Sequence, residues 1–341
     1  MSALPADLDQ LTPEWLQSAI PKLGEVRKVE IDEVLPGSTM KVFLRVDTAN
    51  GVELLCVKGV FDEPALPVRI LAAQQEARFF TFLAPTLNMP LFRTWFAGED
   101  STNGVVVFDD LRGTDTVFTE VGATWSPDLV AAALKVQAAW HAATWGTPGN
   151  KFGWLAAGNQ VLASAADELF TEKHWNAHFS DPETVNVAAG LDNRKRMQTA
   201  VQKLFSLQAE QPMALSHGDP HIGNTYVGAG GQPGFYDWQT FCLNTMLDDV
   251  TYFIGSALDI GERRQHERAL LAHYLYALAG YGGPRLNMDD AWLDYRRYQV
   301  HGFFWAVLPK QWQPPRNSIP LAERFMAGIV DHDTLTLLEQ A

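Results

Sequence analysis

The chain has 341 residues, 47% hydrophobic and 19% charged, which is ordinary for a folded protein with one large domain or two smaller ones. Its formal net charge of −14 disfavours nucleic acids and anionic membranes as partners, because both bind basic surfaces. The first residues, MSALPADLDQ, do not resemble a signal peptide, and no apolar run is long enough to span a bilayer. We therefore expect a cytoplasmic protein.

The chain up to about residue 110 predicts a small, mostly antiparallel sheet. A short helix is expected first, since Thr12 can cap it and Pro13 suits its first position. Apolar and polar residues then alternate, as they do in strands, in residues 29–35, 40–46 and 54–58. Asn50-Gly51, which separates the last two of these runs, is typical of a hairpin.

One main helix is expected to accompany this sheet. Residues 67–83, PVRILAAQQEARFFTFL, have helical spacing of their apolar side chains. Two further apolar runs, PLFRTWFAG and GVVVFDDL, are separated by a loop that ends in Asn103-Gly104, and we interpret them as two more strands.

After Leu111 the pattern becomes mainly helical. Residues 127–145 are rich in alanine, two or three helices are expected within 159–208, and helices resume at about residue 246. The segment TYVGAGGQPGFYDW predicts two short strands around a glycine-rich turn. This change of character predicts an α+β fold with two lobes, residues 1–110 and 111–341.

The segment HGDPHIGN, residues 217–224, is too polar for a protein core. Its simplest interpretation is an ordinary turn. A second interpretation is a metal site, because His217, Asp219 and His221 alternate and can offer three ligands from one extended segment. That interpretation predicts a metal-dependent hydrolase.

A third interpretation is phosphoryl transfer by Asp219, Asn224 and Asp237. This reaction requires little covalent work from the protein and much positioning and charge neutralisation. Asp219 would orient the acceptor hydroxyl and take its proton. Asp237 would hold magnesium against the phosphates, and the neutral amide oxygen of Asn224 would complete the metal shell.

Such a site also needs a lysine for the α- and β-phosphates and a glutamate to hold that lysine. Lys58 ends a predicted strand, on the same face as Leu54 and Cys56, and Glu76 lies in the middle of the predicted helix. Each residue alone is more simply a solvated surface charge. Both together, in this order before Asp219, favour the kinase interpretation.

Two backbone features complete the expected nucleotide site. The turn LPGSTMKV, which contains Ser38, can cover the phosphates with its N–H groups, although a plain hairpin explains it equally well. The segment VVVFDDL would be the connector beside the adenine ring, with hydrogen bonds from the backbone of Asp109 to Leu111.

Several segments resemble the aminoglycoside phosphotransferase superfamily in its broad sense, which includes choline-kinase-like and bacterial ecdysteroid-kinase-like members. The resemblance rests on LSHGDPHIGN, GFYDWQ and DDVTYF, with weaker support from VQAAWHAATW, VFDDL and AWLDYRRYQVHG. It spans roughly residues 12–335. It implies a two-lobed protein-kinase-like fold and the Mg²⁺-dependent transfer of the γ-phosphate of ATP to a hydroxyl of a small molecule.

The resemblance also implies roles for single residues. Asp219 would be the catalytic base, Asn224 and Asp237 the magnesium ligands, and Lys58 the phosphate-binding lysine with Glu76 as its partner.

His217 and Asp249 would support the catalytic loop, while His221 would be either structural or in reach of the substrate. Gly218 stands where protein kinases have an arginine, and Trp238-Gln239 stands where they have Phe-Gly. We therefore expect a permanently assembled site and no protein substrate.

The acceptor is expected in the helical lobe. Its aromatic residues and histidines include His174, Trp175, His178, Tyr295, Tyr298, His301, Phe303, Phe304, Trp305 and Trp312. Such residues commonly lie in the core, yet an apolar pocket with few polar groups would suit a hydrophobic or mixed alcohol or phenol.

The main alternative to a small-molecule kinase is a nucleotide-binding protein of the same fold that no longer catalyses.

Overall fold

The computed structural model describes residues 3–62, 66–146 and 154–341. These divide into two compact units. The first is Met1–Thr116 with Asp237–Phe241, and the second is Val117–Tyr236 with Cys242–Ala341. Among the described residues, no helix is long and apolar enough to cross a membrane.

Within the described residues, the first unit contains a five-stranded antiparallel sheet and two α-helices. In chain order its elements are α1 (Pro13–Ala19), β1 (Val26–Leu35), β2 (Met40–Thr48), β3 (Gly51–Gly59), α2 (Pro67–Arg78), β4 (Thr94–Glu99) and β5 (Gly104–Asp109). The strands are ordered β1-β2-β3-β5-β4. The small antiparallel sheet expected from the sequence is therefore confirmed, as is the hairpin at Asn50-Gly51.

The apolar face of this sheet packs on α1. The hydroxyl of Thr12 accepts the N–H of Trp15 at 3.2 Å, and Pro13 occupies the first turn, as predicted. The alternation of β2 and β3 turns residues such as Val42, Val46, Leu55 and Val57 towards Trp15 and Leu16, and all six are buried. Burial of these side chains is the main stabilising contribution to the unit.

The predicted helix over residues 67–83 is not one regular α-helix. The α-helix ends at Arg78, and Phe79–Leu83 forms a wider π-type turn. This turn directs three bulky side chains, Phe79, Phe80 and Leu83, into the interior. π-Turns of this kind occur often at functional sites, and here Phe79 of the turn contacts the rings of Trp238 and Phe241 in the same unit.

The second unit is mainly helical. Its longer helices are α3 (Pro127–Thr144), α4 (Gln160–Leu169), α5 (Glu172–Phe179), α6 (Arg194–Ala209), α7 (Met246–Ala257), α8 (Ile260–Gly280), α9 (Met288–Tyr298) and α11 (Pro315–Asp331). Two short ones are α10 (Phe304–Val307) and α12 (Thr334–Glu339). Its strands are β6 (Val117–Phe118), β7 (Ala214–Ser216), β8 (Thr225–Val227), β9 (Pro233–Phe235) and β10 (Cys242–Asn244).

These short strands support HGDPHIGN. The segment begins directly after β7, which pairs with β10, and it ends at β8, which pairs with β6 and β9. Every residue of α7 is buried behind it, including Asp248 and Asp249. The polar segment is thus held between strands and a core helix. The predicted strands around the glycine-rich turn, and three helices within residues 159–208, are present as expected.

Candidate active site

The first unit brings together a lysine and two carboxylates. Nζ of Lys58 on β3 lies 2.9 Å from Oε1 of Glu76 on α2 and 2.7 Å from Oδ1 of Asp237. The side chains of Lys58 and Glu76 are 5% and 3% exposed, and that of Asp237 is 16% exposed. A buried ammonium ion therefore lies between two carboxylates, of which that of Asp237 is the more exposed.

Burial and charge act against each other in this cluster. Burial lowers the pKa of Lys58, but the carboxylates of Asp237 and Glu76 outweigh it and leave the pKa above its ordinary value. Burial also raises the pKa of Glu76, and the lysine only partly offsets this. Lys58 consequently stays charged. Two carboxylates on one cation leave a negative charge that a metal ion can balance.

Asp237 has an unusual backbone conformation. Its φ of 69° and ψ of 60° lie in the left-handed region, which non-glycine residues rarely adopt and which clusters at functional sites. The next residue holds it there. The ring of Trp238 stacks on Phe79 with centroids 4.1 Å apart and planes 4° apart, and both side chains are fully buried.

The turn that contains Ser38 touches the same segment. Oγ of Ser38 donates to Oε1 of Gln239 at 3.1 Å. The guanidinium of Arg69 donates to the carbonyl of Ser38 at 2.8 Å and to the carboxylate of Asp62 at 2.7 Å. The turn that contains Ser38 is thus attached both to α2 and to the segment that carries Asp237.

In the predicted connector, VVVFDDL, several backbone groups from Asp109 to Leu111 are already hydrogen-bonded within the protein. The N–H of Asp109 is 3.4 Å from the carbonyl of Arg93, and its carboxylate accepts the indole N–H of Trp95 at 2.6 Å. The carbonyl of Leu111 accepts the N–H of Thr114 at 3.2 Å. Within the described residues, the N–H of Leu111 has no hydrogen-bond partner.

In the second unit, Asp249 organises the start of HGDPHIGN. Its carboxylate accepts the N–H of His217 at 2.7 Å, the N–H of Gly218 at 3.1 Å and the hydroxyl of Ser216 at 2.6 Å. Burial raises the pKa of Asp249, but the hydrogen bond and charge of His141, with Ser216, outweigh it and hold the pKa below its ordinary value. A carboxylate that receives several donors stays ionised.

His217 connects the loop to Tyr236, the residue that follows β9. Its Nε2 donates to the carbonyl of Tyr236 at 3.0 Å, and its Nδ1 faces the N–H of Asp219 at 3.4 Å. Tyr236 is the residue before Asp237, and its N–H donates to the carbonyl of Asn224 at 3.0 Å. The imidazole thus fixes the backbone on both sides of the loop.

Asn224 and Asp219 lie together at the end of the loop. Nδ2 of Asn224 donates to the carbonyl of Asp219 at 2.8 Å and lies 3.4 Å from its Oδ2. Because a carbonyl can only accept, this bond identifies the amide nitrogen and fixes Oδ1 on the other side. Nε2 of His221 is 3.7 Å from Oδ2 of Asp219, whose side chain is 33% exposed.

The histidines do not form a metal site. Both ring nitrogens of His217 face protein groups, and Nδ1 of His221 accepts the N–H of Gly223 at 3.0 Å. Among the described residues, no group of three histidine, cysteine or acidic side chains is placed to hold a metal ion. The geometry therefore disfavours the hydrolase interpretation.

The sequence analysis assigned no role to His141, Tyr274 or Phe79. His141 on α3 lies 3.3 Å from Asp249 and 2.8 Å from the hydroxyl of Tyr274, and His141, Asp249 and Tyr274 are all buried. A histidine on the apolar face of an alanine-rich helix was the available signal. Phe79 gave no signal, since its role depends on Trp238, which is distant in sequence.

The chain matches the phosphotransferase enzyme family over residues 64–286, well over half of its length. No curated protein matches it. Among solved structures it is similar to the choline kinase LicA from Streptococcus pneumoniae, with a TM-score of 0.53, 13% identity and coverage of 93% of this chain and 98% of that one.

A GDP complex of an aminoglycoside 2′-phosphotransferase-IIIa variant is similar too, with a TM-score of 0.53, 10% identity and coverage of 92% and 96%. LicA in complex with AMP gives a TM-score of 0.52 at 14% identity, with coverage of 94% and 97%. These likenesses confirm the protein-kinase-like α+β fold. The family match goes further, and the chain belongs to the phosphotransferase enzyme family.

Proposed function

We propose that the protein is an ATP-dependent kinase that transfers the γ-phosphate to a hydroxyl of a small molecule. The observation that carries this proposal is the buried Lys58 ammonium, which touches both Glu76 and Asp237. Burying such charges is costly and often contributes little to stability, so a functional reason is expected. A nucleotide phosphate supplies that reason.

Lys58 would bind the α- and β-phosphates, with Glu76 holding its ammonium group in place. The Ser38 turn would cover the phosphates, and the backbone from Asp109 to Leu111 would bind the adenine ring. The nucleotides in the solved complexes of LicA and of the aminoglycoside phosphotransferase support this part of the proposal.

Asn224 and Asp237 have the donor atoms that magnesium prefers, one amide oxygen and one carboxylate. The Oδ1 of Asn224 is oriented by the bond from Nδ2 to Asp219, and Asp237 is held by Trp238. When bound, Mg²⁺ would neutralise phosphate charge. Each of the two side chains therefore has a donor group suited to the ion.

Asp219 would act as the base. Its carboxylate would receive the proton of the acceptor hydroxyl while the acceptor oxygen forms a bond to the γ-phosphorus. The bond from that phosphorus to the bridging oxygen breaks, and ADP leaves. His217, Asp249 and Asn224 would contribute by fixing the loop on which Asp219 lies.

Thermal unfolding with ATP, with ATP plus Mg²⁺, and with Zn²⁺ or Mn²⁺ alone tests the nucleotide site. A ligand at about 100 times its dissociation constant stabilises a protein by about 2.7 kcal/mol, which shifts the unfolding midpoint measurably. We expect a shift with ATP that requires Mg²⁺. A shift with Zn²⁺ and none with nucleotide would instead support a metal-dependent hydrolase.

Asp219→Asn then tests catalysis. It should keep the MgATP shift and lower the rate of ADP release with an accepted substrate by about 10²- to 10⁴-fold. Asp167→Asn, an exposed change on α4, is the control and should leave the rate unchanged. An unchanged rate in Asp219→Asn would remove this residue from the mechanism. MgATP binding without turnover of any hydroxyl compound would favour the non-catalytic alternative.

A further inference from the structure

One face of α7 lies along the segment HGDPHIGN. Near the start of this helix, the carboxylate of Asp249 accepts the N–H groups of His217 and Gly218 at 2.7 and 3.1 Å. About two turns further along the helix, the hydroxyl of Ser256 accepts the N–H of Ile222 at 3.0 Å. Because helix positions three and four residues apart share a face, a side chain midway between these two contacts can reach the middle of the loop.

Two residues of α7 lie midway between these contacts, Tyr252 and Phe253. The ring of Phe253 packs on Phe235 of β9, with centroids 5.2 Å apart. The ring of Tyr252 instead stacks on both His301 and Phe325, with centroids 4.3 and 5.1 Å away and planes 15° and 16° from parallel. These two stacked neighbours restrict the tyrosine ring to one orientation.

The hydroxyl of Tyr252 receives a hydrogen bond from Trp305 on α10. Nε1 of the indole, which can only donate, lies 2.7 Å from the hydroxyl oxygen, and both side chains are buried. The hydroxyl also carries a proton of its own, which requires a separate acceptor. A buried donor that lacks an acceptor would be costly, so the surroundings should supply one.

The carboxylate of Asp219 lies within this group of side chains. The ring of Trp305 meets that of His221 edge to face, with centroids 5.0 Å apart, and Nε2 of His221 is 3.7 Å from Oδ2 of Asp219. Burial raises the pKa of Tyr252, and the charge of Asp219 and a hydrogen bond with it raise that pKa further. The tyrosine hydroxyl and the carboxylate of the proposed base are therefore neighbours.

A second carboxylate, that of Asp248, also acts on Tyr252, but its oxygens have other partners. Its Oδ1 lies 3.0 Å from Nδ1 of His301, and its Oδ2 accepts a hydrogen bond from Nδ2 of Asn244 at 3.1 Å. Asp219 is thus the better placed of the two to accept the proton of the Tyr252 hydroxyl.

We propose that Tyr252 is a positioning residue for the base, in that its hydroxyl donates to the carboxylate of Asp219 and Trp305 sets the direction of this donation. The proposal rests on the proposed kinase function and deepens it. The side chain of Asp219 is 33% exposed, so packing alone does not orient its carboxylate. A hydrogen bond from a fixed ring would orient it, and small misplacements of a reacting group cost much of the rate.

Hydrolysis of MgATP tests this role with water as the acceptor. The oxygen of water forms a bond to the γ-phosphorus, Asp219 receives the proton, and ADP leaves. Tyr252→Phe keeps the stacked ring and should lower kcat by about 10- to 100-fold with an unchanged KM for MgATP. Tyr276→Phe removes the same hydroxyl from a side chain that is 82% exposed and should change neither constant. An unchanged or raised kcat in Tyr252→Phe would overturn the proposal.

The route through Asp219 is tested in the Asp219→Asn background. There Tyr252→Phe should cause little further loss of rate, because no base remains to be positioned. Likewise, the double variant Tyr252→Phe/Trp305→Phe should be no slower than Tyr252→Phe, since the indole acts through the hydroxyl. Equal losses from Tyr252→Phe with and without the carboxylate, which a merely structural role predicts, would overturn the proposal.

Urea denaturation tests the contact independently of catalysis. Changes at residues in contact affect stability non-additively, whereas changes at distant residues add. The shift in midpoint for Tyr252→Phe combined with Asp219→Asn should therefore differ from the sum of the single shifts, and that for Tyr276→Phe combined with Asp219→Asn should equal its sum. Additive shifts for the Tyr252 pair would refute the contact.

Failure of the kinase proposal gives a different result. An original protein that neither hydrolyses MgATP nor phosphorylates any hydroxyl compound would refute that proposal, and with it the positioning role of Tyr252. Loss of hydrolysis in Asp219→Asn together with normal hydrolysis in Tyr252→Phe would refute the role of Tyr252 alone.

Discussion

Nζ of Lys58 lies 2.7 Å from Oδ1 of Asp237, although 179 residues separate the two in the sequence. The contact joins a strand residue to a residue with left-handed backbone, within the same compact unit. Two features of the chain produce it. The alternation of β3 buries Lys58 on the face opposite to Val57, and the stack of Trp238 on Phe79 holds the residue next to it, Asp237.

Replacing Lys58 should therefore affect stability as well as catalysis. Lys58→Met leaves the carboxylates of Glu76 and Asp237 close together without a cation, and we expect a loss of about 3–5 kcal/mol in the free energy of unfolding. Urea denaturation measures it. Lys28→Met, which removes an exposed lysine of β1, should leave the unfolding midpoint unchanged. A loss below about 1 kcal/mol for Lys58→Met would show that the cluster relaxes freely.

The effect of the Asp237 carboxylate on Mg²⁺ binding can be tested without disturbing the left-handed backbone at this residue. Asp237→Asn keeps a residue that tolerates the left-handed region, so the fold should persist while the Mg²⁺-dependent part of the ATP shift is lost. Asp333→Asn is the matched control, because Asp333 also has a positive φ, of 52°. A normal Mg²⁺ dependence in Asp237→Asn would exclude this side chain as a metal ligand.

The stack beneath Asp237 gives a third prediction. Phe79→Leu should lower the free energy of unfolding by about 1–3 kcal/mol and weaken MgATP binding, because Trp238 loses its partner. Phe82→Leu lies in the same turn, but that side chain is 52% exposed and should change neither quantity appreciably. Calorimetric titration with MgATP measures the affinity. Equal affinities in the two variants would mean that the stack does not position Asp237.

The lowered pKa of Asp249 predicts that the stability of the protein depends on pH. Its pKa is lower in the folded protein than in the unfolded chain, so its contribution is complete above the unfolded value, near pH 4, and is lost as the pH falls through the folded value. Asp249→Asn should be less stable at pH 7, with a difference from the original protein that shrinks below about pH 4. Urea denaturation from pH 7 to pH 3 tests this. A difference that is constant with pH would contradict an ionised Asp249.

Several features were predictable because local rules determine them. Thr12 and Pro13 mark the start of α1, Asn50-Gly51 marks a hairpin, and the alternation of β2 and β3 indicates which side chains are buried. Each depends on neighbours in the sequence. The order of Lys58, Glu76, Asp219, Asn224 and Asp237 along the chain indicates phosphoryl transfer from the sequence alone.

Other features depend on residues that are far apart in the sequence. α2 ends at Arg78 because Phe79 and Phe80 pack against side chains that are distant in the sequence. The rings of Phe80 and Phe108, for example, have centroids 4.9 Å apart. Similarly, the burial of His141 is explained only by Asp249 and Tyr274. Helical spacing alone describes none of these contacts, because it contains no information about the partner surface.

The sequence by itself determined the family and the set of candidate residues, because motif order and hydrophobic period are properties of the linear chain. The tertiary structure decided that Asp237–Phe241 belongs to the compact unit of Lys58, and that Lys310 contacts both Asp181 and Glu183. Both depend on distances between side chains from different elements. Those distances are set by packing, which brings together residues whose separation along the chain predicts no contact.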